Sequence, residues 1–227
     1  MNLENYINTL HRVYDNGTNN HLQHNDNPLY WDLLLKDLKI NKKLFEGKKA
    51  LDFGCGKGRN VTNMLSLSNF KQVDGVDISK NNIEYCKKNY PNQNSNFYLN
   101  NGKDLKDLKT DEYFYVMSTI VFQHICVHEL RYNLKKEIYR VMKKDGIFSF
   151  QMGYGDLKWK GNNNVYSYYS NNYNVKSSNS DDDVRVENVN FLIKDLKEIG
   201  FIDISYSIEK TFNNGGHPNW IYINCKK

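Results

Sequence analysis

Three glycines at alternate positions, directly after an apolar run, are the residues of this chain best suited to holding a ligand. The segment reads Asp52-Phe53-Gly54-Cys55-Gly56-Lys57-Gly58-Arg59. Because glycine lacks a Cβ atom, its backbone can turn sharply and approach a bound molecule closely. A second apolar run ends at Asp77, about 20 residues beyond the glycines. A glycine-rich turn followed at this interval by a carboxylate indicates a βαβ unit that binds a nucleoside, with the acid on the ribose hydroxyls.

The spacing of the glycines separates the candidate ligands. A dinucleotide site has G-x-G-x-x-G, whereas this chain has G-x-G-x-G between Asp52 and Arg59. On these residues the chain resembles the class I S-adenosylmethionine-dependent methyltransferases, whose first motif reads E/D-x-G-x-G-x-G. Asp77 matches the acid that ends the second strand in that family. The resemblance runs from about residue 28 to 226 and implies S-adenosyl-L-methionine as the cofactor.

The resemblance also implies how the cofactor is held. Gly54 and Gly56 would offer bare backbone to its methionine and ribose portion. Asp52 would lie near its amino group, and Asp77 would accept hydrogen bonds from both ribose hydroxyls. A turn or helix-capping role is the alternative for either acid. Ile78 would form an apolar wall against the adenine.

Two later segments complete the cofactor site that the resemblance implies. Asn101-Gly102 would contact the adenine amino group, although an ordinary Asn-Gly turn is the alternative. Ser118, with Thr119 and Ile120, would lie beside the sulfonium at the end of the fourth strand. The full predicted set of cofactor-binding residues is Asp52, Gly54, Cys55, Gly56, Arg59, Asp77, Ile78, Asn101, Gly102 and Ser118.

Two histidines are candidate catalytic groups. His124 ends a block similar to the family's F-D-x-V-x-S-x-x-V-x-x-H-I, in which Tyr115 departs from the usual Asp. Its imidazole suits removal of a hydroxyl proton near neutral pH, and a core or capping histidine is the alternative. His217 lies on the last hairpin, near the expected rim of the pocket, with a turn histidine as the alternative. His124 and His128 stand four apart, but no third ligand is evident and no metal is expected.

The order of the elements predicts an α/β fold. Strands and helices alternate from 48 to 152, which favours a Rossmann-like, doubly wound, mostly parallel sheet with helices on both faces. The final hairpin resembles the family's ending, which implies seven strands with an antiparallel last strand. We predict helices at 2–15, from Pro28 onward, and at 59–68, 80–89, 131–142 and 189–199. Ser79 is expected to cap the helix at 80–89, Gly200 to end the helix at 189–199, and residues 144–146 to form a turn before the next strand. The predicted strands are 48–53, 71–77, 96–99, 113–118, 147–152, 201–209 and 219–226.

A single methyltransferase domain is predicted for residues 1–227. Within it, we expect an N-terminal helical lid at 1–45, a cofactor-binding core at 46–152, an insertion or lid at 153–188, and a C-terminal helix and hairpin at 189–227. The insertion is rich in Gly, Asn, Ser and Tyr, as expected of a long loop that shapes a pocket. Tyr14 and Trp31 could present aromatic faces to the ligands, or pack in the core.

The composition limits the partners and the compartment. The net charge is +5, with 31 basic residues interleaved among 26 acidic ones, so no nucleic-acid-binding stripe is expected. Four cysteines without a disulfide pattern, and an N-terminus without a signal segment, predict a cytoplasmic protein with no membrane partner. The oligomeric state is left open.

The predicted function is methyl transfer to a small polar molecule, such as a sugar, at oxygen or nitrogen. The N/D-P-P-Y/F tetrapeptide used to methylate exocyclic amines is absent from the fourth strand end. An RNA or protein methyltransferase and a catalytically silent cofactor-binding protein are the alternatives. A nicotinamide oxidoreductase is disfavoured, because Arg59 stands where that site needs glycine.

Overall fold

A computed structural model describes residues 2–16, 33–34, 41–91, 94–158, 164–173, 182–210 and 217–227. Its helices are α1 (Leu3–Asn16), α2 (Arg59–Leu67), α3 (Lys80–Asn89), α4 (His128–Val141) and α5 (Val189–Ile199). Its strands are β1 (Lys49–Phe53), β2 (Gln72–Asp77), β3 (Phe97–Leu99), β4 (Tyr113–Ser118), β5 (Met142–Tyr154), β6 (Val165–Ser167), β7 (Asp183–Val186), β8 (Ile202–Lys210) and β9 (Asn219–Lys226). Short 3-10 turns lie at Lys42–Phe45 and Phe122–His124.

The sheet confirms the predicted fold class, but it has nine strands among the described residues rather than the seven predicted. Its parallel strands run in the order β3-β2-β1-β4-β5. Strand β9 pairs antiparallel with β5, and β8 pairs antiparallel with β9 at the far edge. Buried apolar side chains pack on both faces of the sheet, which explains the nearly continuous apolar runs of β1 and β4. The chain reverses direction across the sheet between β1 and β4, which is where an open α/β sheet binds its ligand.

Two strands of this sheet come from the 153–188 insertion. Strand β7 runs parallel to the last residues of β5, and β6 pairs with β7. All four residues of β7 are buried, although Asp183 and Arg185 are charged. The sequence did not predict these strands, because they are only three and four residues long and lie in a segment whose Gly, Asn, Ser and Tyr content is typical of a loop.

Smaller differences concern the ends of two elements. Helix α4 begins at His128 rather than 131, and β5 begins at Met142 rather than 147. The predicted turn at 144–146 lies inside β5, where Asp145 takes a positive φ of 61°. Elsewhere the predicted caps are confirmed: the hydroxyl of Ser79 accepts from the N–H of Asn82 at the start of α3, and Gly200 ends α5 with a φ of 118°.

Helix α1 lies across the ligand edge of the sheet and is fastened on both sides of it. The N–H of Cys126 donates to the Tyr6 hydroxyl at 2.7 Å. On the other side, Asp15 accepts from the hydroxyl of Ser79 at 3.0 Å, and His11 Nδ1 lies 2.9 Å from the Ile78 carbonyl. The helix predicted from Pro28, with Trp31, lies outside the described residues apart from 33–34. Among the described helices, none is both long and apolar enough to cross a bilayer.

The Tyr6 hydroxyl should contribute measurably to stability. A Tyr6→Phe substitution leaves the buried N–H of Cys126 without its acceptor. We expect the free energy of unfolding to fall by about 1–3 kcal/mol in urea titrations. Tyr206→Phe is the control, because Tyr206 is 48% exposed on β8, and it should change stability by less than about 0.5 kcal/mol. Equal losses in both variants would show that α1 is not fastened through Tyr6.

Candidate active site

A cavity of about 340 Å³ opens at the carboxyl ends of β1, β2 and β4. This volume lies within the range of sites that enclose small molecules. The turn after β1 forms its floor, and Leu10 and Tyr14 of α1 cover it. Thr119, Ile120 and His124, which follow β4, form the facing wall. Ile120 holds a φ of 55°, which is costly for a β-branched residue and frequent at functional sites.

Glycine is required at positions 54 and 56 of the turn for different physical reasons. Gly54 and Gly56 have φ values of 78° and 51°, in the left-handed region that favours glycine. A Cβ on Gly54 would lie 2.2 Å from Cγ2 of Val121, so the packing of the protein itself requires this glycine. A Cβ on Gly56 would meet no atom within 4 Å, because this residue faces the cavity. Gly56 therefore leaves room for a ligand.

Asp77 joins the end of β2 to the glycine turn and lines the cavity. Its Oδ2 accepts from the N–H of Gly56 at 2.8 Å, and its Oδ1 accepts from the N–H of Ser79 at 2.8 Å. Burial raises the pKa of this carboxyl, although the two N–H groups oppose the rise. Each carboxylate oxygen has a second lone pair; that of Oδ1 meets the amide nitrogen of Asn82 at 3.4 Å, a long contact that a ligand hydroxyl can replace, so the pair of oxygens can accept from two adjacent hydroxyls.

Asp52 lies fully buried beneath the same turn. Its Oδ1 is 3.4 Å from the amide nitrogen of Asn60, and its Oδ2 has no hydrogen-bond partner among the residues that the structure describes. Burial raises the pKa of Asp52 to about 7, despite the opposing effects of Asn60 and Arg59. A nearby cation or hydrogen-bond donor would stabilise this buried carboxylate oxygen in its ionised form.

Two other polar residues of the turn were also predicted to bind the cofactor. Cys55 and Arg59 both line the cavity. A hydrogen bond with Cys86, together with burial, holds the pKa of the Cys55 thiol well above its ordinary value, so Cys55 stays protonated. Burial lowers the pKa of Arg59, and the negative charge of Asp52 opposes this.

The adenine side of the predicted site differs from the sequence prediction by one residue. Asn101 is used within its own turn: its Oδ1 accepts from the N–H of Lys103 at 2.8 Å, and its Nδ2 donates to Asp104. In the described part of the chain, Asn100 lines the cavity and Asn101 does not. Ile78 and Gly102 do line it, as expected. The Asn-Gly turn that was the alternative for Asn101 therefore accounts for its side chain.

At the end of β4, two of the three residues predicted to lie beside the sulfonium, Thr119 and Ile120, line the cavity. Ser118 is buried and, among the described residues, is not part of the cavity wall. The Thr119 hydroxyl accepts from the Asn60 amide at 3.0 Å. Asn60 thus links the wall after β4 to Asp52 beneath the floor.

His124 faces the cavity and is held from behind by an acid of the insertion. Its Nδ1 lies 2.6 Å from Oδ1 of Asp183, and its side chain is 27% exposed. Oδ2 of the same carboxylate lies 3.3 Å from Nε2 of His217. Burial would raise the pKa of Asp183, but the two histidines outweigh it and hold that pKa below its ordinary value. Asp183 is therefore ionised at neutral pH.

His217 does not occupy the rim position expected from the sequence. It is 1% exposed, and it packs so closely on Gly153 that a Cβ there would lie 2.1 Å from its Nδ1. In the described residues it lies behind Asp183 and outside the cavity wall. The difference arises because β7, which the sequence did not predict, separates the final hairpin from the cavity. His217 can therefore act only through Asp183.

His128 points away from the cavity. Its Nε2 lies 2.8 Å from Asp195 on α5, and its ring contacts Tyr169. The zinc alternative considered for His124 and His128 thus has no geometric support. Across the described ranges, no three His, Cys, Asp or Glu side chains are grouped as a metal site.

Sequence reasoning missed at least three polar residues of this region. Asn100 lies one position from a predicted residue, and the alternation of a strand end cannot be resolved to a single residue without the structure. Asn60 follows the glycine motif directly, and its place in the first turn of α2 was the available signal. Asp183 stands in a run of three acids, and no local pattern marks it out.

Residues 51–150 match the family model described as a methyltransferase domain. A candidate S-adenosylmethionine-dependent methyltransferase from Listeria monocytogenes has a similar structure, with a TM-score of 0.61 and 19% identity over 85% of this chain and 97% of that one. The candidate methyltransferase complexed with the Trm112 activator of Haloferax volcanii is also similar, with a TM-score of 0.64 and 13% identity over 94% of this chain and 96% of that one. These identities show similarity of fold.

A third similar structure carries ligands. Phosphoethanolamine N-methyltransferase 2 of Haemonchus contortus, in complex with phosphomonomethylethanolamine and S-adenosylhomocysteine, gives a TM-score of 0.61 and 17% identity. The match covers 95% of this chain and 60% of that one, so this chain spans little more than half of the larger enzyme. A comparison with curated proteins found no significant match.

Proposed function

We propose that the chain is a class I S-adenosylmethionine-dependent methyltransferase, which the match of residues 51–150 to a methyltransferase-domain model supports, and that it methylates a small polar molecule, such as a sugar, at oxygen or nitrogen. The observation that carries the proposal is the open space at Gly56, which is bounded by the carboxylate of Asp77. Positive φ, absence of a Cβ and an adjacent acid together suit a nucleoside better than they suit any role in packing.

The described residues fit the cofactor. Asp77 would accept from the ribose hydroxyls, and Ile78 would lie against the adenine. The unpartnered Oδ2 of Asp52 would interact with the ammonium group of the methionine portion, directly or through water. When bound, the cofactor supplies a methyl group on a sulfonium, which is already an activated electrophile. The protein then has to exclude water, orient the acceptor and, for some acceptors, remove a proton.

A small acceptor is supported by the way the cavity is covered. Helix α1 closes over it through Leu10 and Tyr14, which leaves little room for a macromolecular chain. The Haemonchus enzyme holds a small polar phosphobase in the same kind of fold. Hydroxyl and imidazole groups on the wall, from Thr119 and His124, suit a polar acceptor.

The test of this function is turnover of labelled S-adenosylmethionine. We expect label to pass to one class of small alcohols, sugars or amines, with one S-adenosylhomocysteine formed for each methyl group transferred. Transfer RNA and an unfolded protein mixture serve as comparison acceptors. Labelling of those macromolecules alone would replace the proposal with the RNA or protein alternative. Binding of the cofactor without turnover on any acceptor would indicate a silent binding protein.

The protonation of Asp52 should make cofactor binding pH-dependent. With a pKa of about 7 in the empty protein, Asp52 is largely neutral below that pH. Binding of the ligand's ammonium group favours the carboxylate, so a proton must leave. The affinity for S-adenosylhomocysteine should therefore weaken as the pH falls, approaching about tenfold per pH unit well below the pKa. Calorimetry across this range should give a flatter profile for Asp52→Asn. An unchanged slope in that variant would assign the proton to another group.

A further inference from the structure

Asp183 lies between two imidazoles and contacts both through separate oxygens. Oδ1 is 2.6 Å from His124, on the cavity wall, and Oδ2 is 3.3 Å from His217, which is buried. Strand β7 places Asp183 there, because it pairs with the last two residues of β5 just beyond the end of β4. Burying an unpaired carboxylate costs free energy, and the two histidines supply the partners that offset this cost at Asp183.

The hydrogen-bond partners fix the direction of the protons. Nε of Arg185 donates to Nδ1 of His217 at 3.3 Å, so the proton of neutral His217 is on Nε2 and points to Asp183. Asp183 is ionised, so Nδ1 of His124 carries the proton that it shares with this carboxylate. The lone pair of neutral His124 is then on Nε2. This nitrogen lies 3.4 Å from the amide nitrogen of Gln123, a long contact that an incoming hydroxyl can replace.

We propose that Asp183 is a positioning residue that orients His124 as the general base for a hydroxyl acceptor. This inference rests on the proposed methyl transfer and deepens it by naming the acceptor as an alcohol, phenol or sugar hydroxyl. The acceptor O–H bond breaks and its proton passes to Nε2 of His124. The acceptor oxygen forms a bond to the methyl carbon while the carbon–sulfur bond breaks, with its electron pair remaining on sulfur. The imidazolium then loses its proton to water.

The charge balance of the cluster favours a hydroxyl over an amine. A neutral amine can attack with its lone pair before it loses a proton, whereas a hydroxyl is a weak nucleophile until a base takes its proton. The carboxylate of Asp183 stabilises the imidazolium that forms, in the manner of an acid–histidine pair. His217, which accepts a hydrogen bond from Arg185, contacts the carboxylate from its other side, so the cluster can supply this stabilisation without rearranging.

Asp183→Asn and Asp182→Asn form a matched pair of variants. Both residues are buried carboxylates and are adjacent in the chain; Asp183 is the first residue of β7 and contacts two histidines, whereas Asp182 accepts from the amide of Asn164 at 2.9 Å. For Asp183→Asn we expect kcat with a hydroxyl acceptor to fall by about 100-fold or more. Its affinity for S-adenosylhomocysteine should stay within about threefold of wild type. Asp182→Asn should retain kcat within a few fold.

An NMR titration of the His124 imidazole gives a readout that does not depend on activity. The midpoint should move to lower pH by about one unit or more in Asp183→Asn, because the imidazolium loses its counter-charge. The rising limb of the pH–rate profile should move in the same direction. The other titratable groups that contact Asp183 or line this cavity are His217, Tyr14, Cys55, Lys57, Arg59 and Asp77. Asp182→Asn controls for a general change in their electrostatics.

The outcomes separate this inference from the methyl transfer on which it rests. If wild type does not bind S-adenosylhomocysteine, the proposed function fails. If wild type binds it and methylates a hydroxyl, but both variants lose activity equally or His124 titrates unchanged in Asp183→Asn, the inference is overturned. Methylation confined to amines also overturns it. In a folded His124→Ala variant, added imidazole should restore part of the lost rate, and absence of rescue would contradict the general-base role.

Discussion

Replacing Gly56 with leucine is expected to reduce the affinity for S-adenosylhomocysteine by about 100-fold or more, which corresponds to at least ~2.7 kcal/mol. The side chain would enter the cavity, because a Cβ at this position meets no protein atom within 4 Å. The leucine side chain can therefore fit into the empty cavity, but it would overlap the bound ligand. Calorimetry on folded variant protein measures the loss.

Gly47→Leu is the matched control for this experiment. Gly47 also has a positive φ, 68°, and a Cβ there also meets nothing within 4 Å, but it lies before β1 and outside the cavity wall. Both variants should lose about 1–2 kcal/mol of stability from the left-handed backbone. Only Gly56→Leu should lose affinity. Equal binding by the two variants would mean that the space at Gly56 is not the cofactor site.

Replacing Asp77 with alanine should weaken cofactor binding by about 1.5–3 kcal/mol, the scale of hydrogen bonds to a charged group. The loss has two sources, since Asp77 faces the cavity and also holds the N–H groups of Gly56 and Ser79. We expect the unfolding free energy to fall as well. Titration with S-adenosylhomocysteine, below the unfolding transition, measures the binding part.

Asp74→Ala separates these two sources. Asp74 is a second buried carboxylate of β2; it accepts from the Tyr113 hydroxyl at 2.9 Å and from the N–H of Asn96 at 2.7 Å, and it does not line the cavity. Its removal should destabilise the sheet with little effect on affinity. If Asp74→Ala weakens binding as much as Asp77→Ala does, the ribose contact proposed for Asp77 is wrong.

The parts of the fold that the sequence predicts well are those in which a local pattern and the tertiary structure agree. The glycine turn, the acid at the end of β2 and the Ser79 cap each depend on a few adjacent residues, and all three lie where they were predicted. The antiparallel final strand also follows from a short link between two apolar runs. The family resemblance also allowed the overall arrangement of the sheet to be predicted.

The parts that the sequence could not predict depend on long-range pairing. Strand β7 is four residues long and carries two buried charges, whose partners include His217, His124 and the carbonyl of Asp156. None of these partners is adjacent in sequence. Asn101 rather than Asn100 was assigned to the cavity from the sequence for a similar reason. At a strand end, a change of one position moves a side chain from the cavity into a turn.

The most direct test of the account is an equilibrium titration of folded wild-type protein with S-adenosylhomocysteine. We expect one saturable site per chain, competed by S-adenosylmethionine but not by NADH, and strongly weakened in Gly56→Leu. No uptake of the nucleoside by folded protein, or uptake that Gly56→Leu leaves unchanged, would contradict the central claim that the glycine turn and Asp77 form its binding site.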